Sequence, residues 1–207
     1  MKLYKIIDLT HTFTKVMHVH SDDVPASVEK VRTFVDDTFN DWKISSGMHA
    51  GTHIDGPGHL TDSQVLIASI PVEKFIGKGY VIDARNKTLD PSLLKKLPKE
   101  EHLIVLILTG LDKNFGTKEY FNNHPLISLA FAQELVKHNI KMIGIDFFSP
   151  DTYPFEVHKI FFNYDVFIIE NLTNLESLLG IEDFTVIALP LKTETDSALA
   201  RVIALVG

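Results

Sequence analysis

Apolar and polar positions along the chain fall into short runs that predict strands separated by a few helices. Residues 3–9 (LYKIIDL) are β-prone and stop at Thr10 and His11, which predicts a first strand. From Val28 to Val35, β-branched residues alternate loosely with charge and predict another. YVIDA at 80–84 is a compact strand candidate. Leu103 to Leu108 is an unbroken apolar run, as expected of a strand covered on both faces. Between them, Asp90 before Pro91 reads as an N-cap followed by a first-turn proline and predicts a short helix over 91–97. Ser128 caps a second helix, LAFAQELVKH, whose Leu129, Ala132, Leu135 and Val136 form one apolar stripe that closes at Asn139. The strand KMIGID (141–146) follows, then a turn over 149–153, a helix over 156–164 carrying His158, and a strand over 166–169 ending at Glu170. Strands over 183–189, stopped by Pro190, and over 199–206 complete the pattern. No repeat, low-complexity tract or linker interrupts residues 1–207, so the expectation is an α/β fold in a single domain with a mixed sheet.

One stretch does not read as core. His49 to His59, HAGTHIDGPGH, holds three of the ten histidines and a carboxylate in eleven residues. Its glycines and Pro57 make a helix improbable. In an extended segment, residues of one parity share a face, which would align His49, Gly51, His53, Asp55, Pro57 and His59. A half-buried strand with merely hydrogen-bonded histidines is the plainer interpretation. Four donors of one parity instead favour a site for zinc or manganese, with the glycines letting backbone or ligand come close.

Composition narrows the chemistry. Hydrophobic residues make up 45% of the 207, enough for a sizeable core. The formal net charge of -7 argues against nucleic acid as a partner. No cysteine is present, so any metal must be held by His, Asp or Glu, without thiolates or disulfides. The start, MKLYKIIDLTH, meets Asp8 before an apolar run of signal-peptide length, and no run approaches membrane-spanning length. A cytoplasmic protein, with no membrane partner, is expected. Neither GxGxxG nor GxxxxGK[ST] occurs, so dinucleotide and P-loop phosphate binding have no sequence basis. His18 and His20 precede the acidic HVHSDDVP loop and are weak ligand candidates. Trp42, the single tryptophan, could be a core or edge aromatic or one wall of a pocket for a planar substrate.

HAGTHIDGPGH matches every fixed position of HxGTHxDxPxH, and around it stand DLTH, LILTG, HPLIS, IGIDFFS, IIENLTNL and LPLK in order. On these segments nearly the whole chain resembles the cyclase family of metal-dependent hydrolases, which includes bacterial arylformamidase (kynurenine formamidase) and isatin hydrolase. The resemblance implies the family's swivelling β/β/α fold. It implies divalent metal, one ion or two, zinc foremost and manganese as the other candidate, held by His49, His53 and Asp55 and completed by His158 and Glu170. It assigns proton transfer to His59. It also implies a homodimer or higher homo-oligomer, with a neighbouring subunit bordering the pocket. Two segments depart from the family pattern, HVHSDDVP and DSALAR, and both fall where substrate contacts are expected.

The residues can support that chemistry. Zinc lowers the pKa of a bound water from about 16 to about 7, and a histidine such as His59 can take a proton from the water and return it to a leaving nitrogen. A carboxylate such as Glu170 directly after the apolar VFII is costly to bury unless paired or metal-bound; otherwise it is the solvated end of a strand. The expected activity is hydrolysis of an amide C–N bond in a small molecule, an arylformamide or cyclic amide. The alternative is a non-catalytic protein that holds a metal or chelating metabolite in the same site.

Overall fold

The computed structural model describes residues 4–21 and 23–207. Leu3, which opens the predicted first strand, and Asp22, in the HVHSDDVP segment, lie outside them. In chain order the strands are β1 (Lys5–Asp8), β2 (Val16–Met17), β3 (Ala26–Arg32), β4 (Asp41–Ser45), β5 (His53–Asp55), β6 (Ile76–Asp83), β7 (Ile104–Leu108), β8 (Met142–Ile145), β9 (Phe167–Glu170), β10 (Phe184–Pro190) and β11 (Ser197–Val206). The α-helices are α1 (Phe34–Asp37), α2 (Lys118–Asn122), α3 (Leu129–Leu135) and α4 (Glu156–Asn163).

Seven strands close into a barrel-like mixed sheet in the order β11-β10-β6-β7-β8-β9-β5 and back to β11. β6, β7, β8 and β9 are parallel, and the remaining pairings are antiparallel. Closure depends on the length of β11. One edge pairs with β10 along residues 200–206, while the other is shared by β1 at 203–206 and β5 at 197–199. The predicted final strand, 199–206, omits Ser197 and Ala198, two of the residues that make the seam.

The core follows the period-two alternation of the strands. Ile104, Leu106 and Leu108 of β7 join Ile54, Ile169, Val186, Ala198 and Val202 inside the barrel. Val105 and Ile107 face the other way and meet Phe131 and Leu135 of α3 and Phe161 of α4. The unbroken apolar run is thus a strand with both faces covered, as predicted. Capping also follows the sequence. Asp90 accepts Ser92 N–H at 2.8 Å ahead of a 3-10 helix at Pro91–Lys96, and Ser128 accepts Phe131 N–H at 3.2 Å. The α3 region closes at Asn139 in the left-handed conformation.

The N-terminal arm corrects the sequence reading. The strand predicted from Val28 to Val35 is β3, Ala26–Arg32; the Thr33 hydroxyl then accepts Asp36 N–H and turns the chain into α1. That local cap competes successfully with strand continuation because the arm packs on no core to hold it extended. β2, β3 and β4 form a separate three-stranded sheet. All five residues of β4 are exposed, and Phe34, Val35, Phe39 and Ile44 nearby are largely in solvent. Trp42 is an edge aromatic of this arm, with Lys15 and Lys30 Nζ 5.5 and 5.7 Å from its ring centre.

The seam also explains one glycine. Gly56 N–H donates to Asp196 O at 3.0 Å, and a Cβ at Gly56 would lie 2.6 Å from that same backbone oxygen. Gly56→Ala is therefore expected to destabilise the fold by about 1–3 kcal/mol. The urea midpoint of the variant against wild type measures this, and an unchanged midpoint would contradict the close approach.

Candidate metal centre

Burial of one residue orients the centre of β5. Ile54 is fully buried in the barrel core, so His53 and Asp55, of opposite parity, point out of the barrel toward α4. β9 repeats the logic: Phe167 and Ile169 fill the barrel, leaving Ile168 and Glu170 on the helix side. In the antiparallel β5–β9 pairing His53 stands directly opposite Glu170. α4 runs across this face and brings in His158 from its buried side.

The extended reading of HAGTHIDGPGH holds only for its middle. His53–Asp55 is strand, whereas His49 precedes a turn at Gly51 (φ 67°) and His59 ends a 3-10 helix at Pro57–His59. His49 and His59 arrive through turns and not by strand parity, because the left-handed Gly51 and the Pro57 turn bend the chain at either end. Their rings meet with centroids 4.2 Å apart.

The five predicted donors form one continuous cluster. His49 Nδ1 lies 3.0 Å and His53 Nε2 3.4 Å from Asp55 Oδ1; His53 Nε2 lies 3.4 Å from Glu170 Oε2; His158 Nε2 lies 3.5 Å from Glu170 Oε1. Two sets, His49–Asp55–His59 and His53–Asp55–Glu170, each bring their donor atoms within 4.8 Å of one another and share Asp55. His158 lies outside both sets and touches the cluster through Glu170. His53, Asp55, His158 and Glu170 are buried, so Glu170 is not the solvated end of a strand. His20 stacks on Phe148 at 4.8 Å across the cavity in front of the cluster.

Hydrogen bonding fixes what this cluster needs. His53 Nδ1 faces Gly51 O at 2.8 Å; a carbonyl only accepts, so Nδ1 carries the proton. Its Nε2 lone pair then faces two carboxylates. Asp55 Oδ1 and Glu170 Oε1 are buried and find no aligned hydrogen-bond donor among the described residues. Nitrogen and oxygen lone pairs 3.0–3.5 Å apart in a buried site repel unless a proton or a cation lies between them. A divalent ion, with ligand distances of about 2.0–2.2 Å to such atoms, fits where water does not. The residues present therefore suit zinc or manganese.

Without metal, protons do this work. Burial alone would lower His53, but the Asp55 and Glu170 carboxylates outweigh it and raise its pKa to about 9. His158 is likewise depressed by burial, yet Asp151 and Glu170 raise it to about 9. Burial opposes ionisation of Asp55, and the facing His53 and His49 rings still hold it well below the usual carboxylate range. Burial, with Asp55 nearby, pushes Glu170 up. His59 differs: burial is the main influence and lowers it, against the pull of Asp55. It is the ring of the group best suited to be neutral at pH 7.

Two supporting residues escaped the sequence. Asn171 (φ 55°) donates from Nδ2 to Gly51 O at 3.0 Å and accepts from Tyr120 Oη at 2.6 Å, so this buried pair braces the carbonyl that orients His53. An Asn directly after a strand-terminal Glu is the one local signal, since Asn tolerates the left-handed conformation. Nothing local marks Tyr120. A cavity of about 580 Å³ opens onto the cluster, walled by Leu60, Phe121, Phe148, Tyr153 and Phe155. Trp42 is not among its lining residues.

With this geometry in view, comparison places the chain in a family. Residues 7–152 match the Cyclase family model, described as "Putative cyclase". The chain belongs to that family. An uncharacterized protein of Methanocaldococcus jannaschii is 35% identical over 205 residues, 97% of this chain and 99% of its own. Kynurenine formamidase of Bacillus cereus is 26% identical over 210 residues, 98% of each chain. An isatin hydrolase solved with the product analogue thioisatinate shares the fold with a TM-score of 0.87 at 21% identity, over 98% of this chain and 92% of its own. The α/β expectation with a mixed sheet, and the resemblance to this family, are both borne out. Among the described residues no helix is long and apolar enough to cross a membrane.

A pH dependence follows for the metal-free protein. His53 and His158 bind their protons more tightly folded (about 9) than in an unfolded chain, where histidine titrates at about 6.5. The stability they contribute is fully present below about pH 6.5 and is lost as pH rises through 9. Thermal unfolding of chelator-treated protein between pH 6 and 9.5 is expected to show a falling Tm across that window. His53→Gln should flatten the fall, and a Tm that rises across the window would contradict it.

Proposed function

We propose that this protein is a metal-dependent amidohydrolase that cleaves the C–N bond of a small arylformamide or cyclic amide. The observation that carries the reading is a buried His/Asp/Glu cluster needing a cation, set at the floor of a partly aromatic cavity with His59 beside it. His49, His53, Asp55, His158 and Glu170 would hold the metal, zinc or manganese. When bound, the metal supplies Lewis-acid activation of water near neutral pH. The relatives named kynurenine formamidase and isatin hydrolase support a hydrolytic role for this chain.

The chain's own residues would then divide the work. Phe121, Phe148 and Phe155 present ring faces and edges to a planar substrate and exclude water around it. His59, kept neutral by burial, accepts a proton at its free ring nitrogen from the attacking water. The same nitrogen then returns the proton to the departing amine or anilide nitrogen, a role typically worth about 100- to 10,000-fold. His59 also lies within a donor set with His49 and Asp55. Substitution therefore has to separate its roles. His59→Ala is expected to lower kcat on an arylformamide or lactam substrate by at least about 100-fold while metal content stays at the wild-type level. Full activity in the variant, or an intact ligand after long incubation of metal-loaded wild type with a broad amide panel, would overturn the enzyme reading in favour of a binding protein.

We further propose that a second copy of the chain covers the apolar arm formed by β3, α1 and β4. The support is that Phe34, Val35, Phe39 and Ile44 are each more than half exposed on one appendage, together with the family resemblance. Light scattering should give a mass of two or more chains, reduced to one in Phe34→Glu/Val35→Glu; a monomeric wild type would contradict this.

A further inference from the structure

Asp151 stands behind His158, away from the donor cluster. Its Oδ2 accepts the backbone N–H of Val157 at 2.6 Å and of His158 at 3.3 Å, and its Oδ1 holds His158 Nδ1. Phe155, at the N-cap position of α4, has φ 60° and no side-chain cap; Asp151 supplies from outside the cap that this residue cannot. Between the two lies the segment whose Thr152, Tyr153 and Phe155 line the cavity. A single buried carboxylate thus ties together the start of a helix, the ring that helix carries and one wall of the cavity.

We infer that Asp151 is a positioning residue that fixes the tautomer of His158, holding its proton on Nδ1 so that the Nε2 lone pair faces Glu170 and the metal centre. The inference rests on the metal-centre reading above. The chemistry is specific: a carboxylate only accepts, so the ring nitrogen facing it must carry the proton, which leaves Nε2 free to bind a cation. A cap alone makes no such demand, since an amide oxygen caps a helix as well as a carboxylate does.

Asp151→Asn separates the two roles. Its amide oxygen can keep the Val157 and His158 N–H bonds, while its NH2 turns toward His158 Nδ1 and favours the tautomer with the proton on Nε2, where the metal should be. Zinc affinity measured by chelator competition is expected to fall by about 10- to 100-fold with helical circular dichroism unchanged. In metal-free protein at high pH, two-bond ¹H–¹⁵N spectra of the His158 ring should show the proton move from Nδ1 in wild type to Nε2 in the variant. A zinc affinity equal to wild type, or a proton that stays on Nδ1, would overturn the inference and leave Asp151 a helix cap. Failure of the metal-centre reading would show differently, as wild-type protein that binds no zinc, while the tautomer spectrum still decides the role of Asp151. If Asp151→Asn does not fold, the wild-type spectrum decides, because a proton on Nε2 there contradicts the proposal.

Discussion

Two carboxylates, Asp55 and Glu170, are buried beside one another on the outer face of the barrel, and this is the constraint to which the rest of the structure answers. A buried charge without a partner costs several kcal/mol even after relaxation, and a second like charge nearby adds to it. Imidazoles from a turn, a strand and a helix converge on the pair. His53 and His158 compensate the charge only while protonated or while sharing a cation, because the nitrogens they turn to the carboxylates are otherwise lone pairs. The fold therefore carries a site that is expensive to leave empty at high pH, a cost that structural positions avoid and metal centres accept.

The barrel seam makes this placement possible. β5 is only three residues long, yet it joins β9 to β11 and completes the closed sheet. Packing Ile54 into the core obliges His53 and Asp55 to face α4, and the register with β9 sets Glu170 opposite His53. A one-residue slip would exchange these faces, so the hydrophobic core and the donor cluster are held by the same pairing. The approach of Gly56 to Asp196 at the end of the seam leads the chain directly into the turn that carries His59.

Much of this was legible in the sequence because it depends on local periodicity. The parity of His53, Ile54 and Asp55, the caps at Asp90 and Ser128 and the doubly buried run at Ile104–Leu108 are all properties of short windows. What could not be read depends on long-range packing. His49 and His59 seemed to share the strand face, but they reach the site through backbone turns at Gly51 and Pro57. Tyr120 and Asn171 brace Gly51 from distant parts of the chain, and Asp151 reaches His158 across a cavity-lining segment. In the arm the β-branched residues do form the strand β3, and only its end escapes the sequence pattern, because a capped turn at Thr33 stops it at Arg32. His158 and Glu170 rest on the family resemblance in the sequence, and only the folded structure shows Glu170 buried against His53 and His158 buried against Glu170.

The most direct test of the central claim, that the cluster is built for a divalent cation, is calorimetric titration of chelator-treated protein with zinc and with manganese at pH 7 in buffers of different ionisation enthalpy. Saturable binding accompanied by proton release is expected, because His53 and His158 must give up their protons to admit the ion. Absence of saturable binding by either metal, or binding unaffected by His53→Gln, would contradict it.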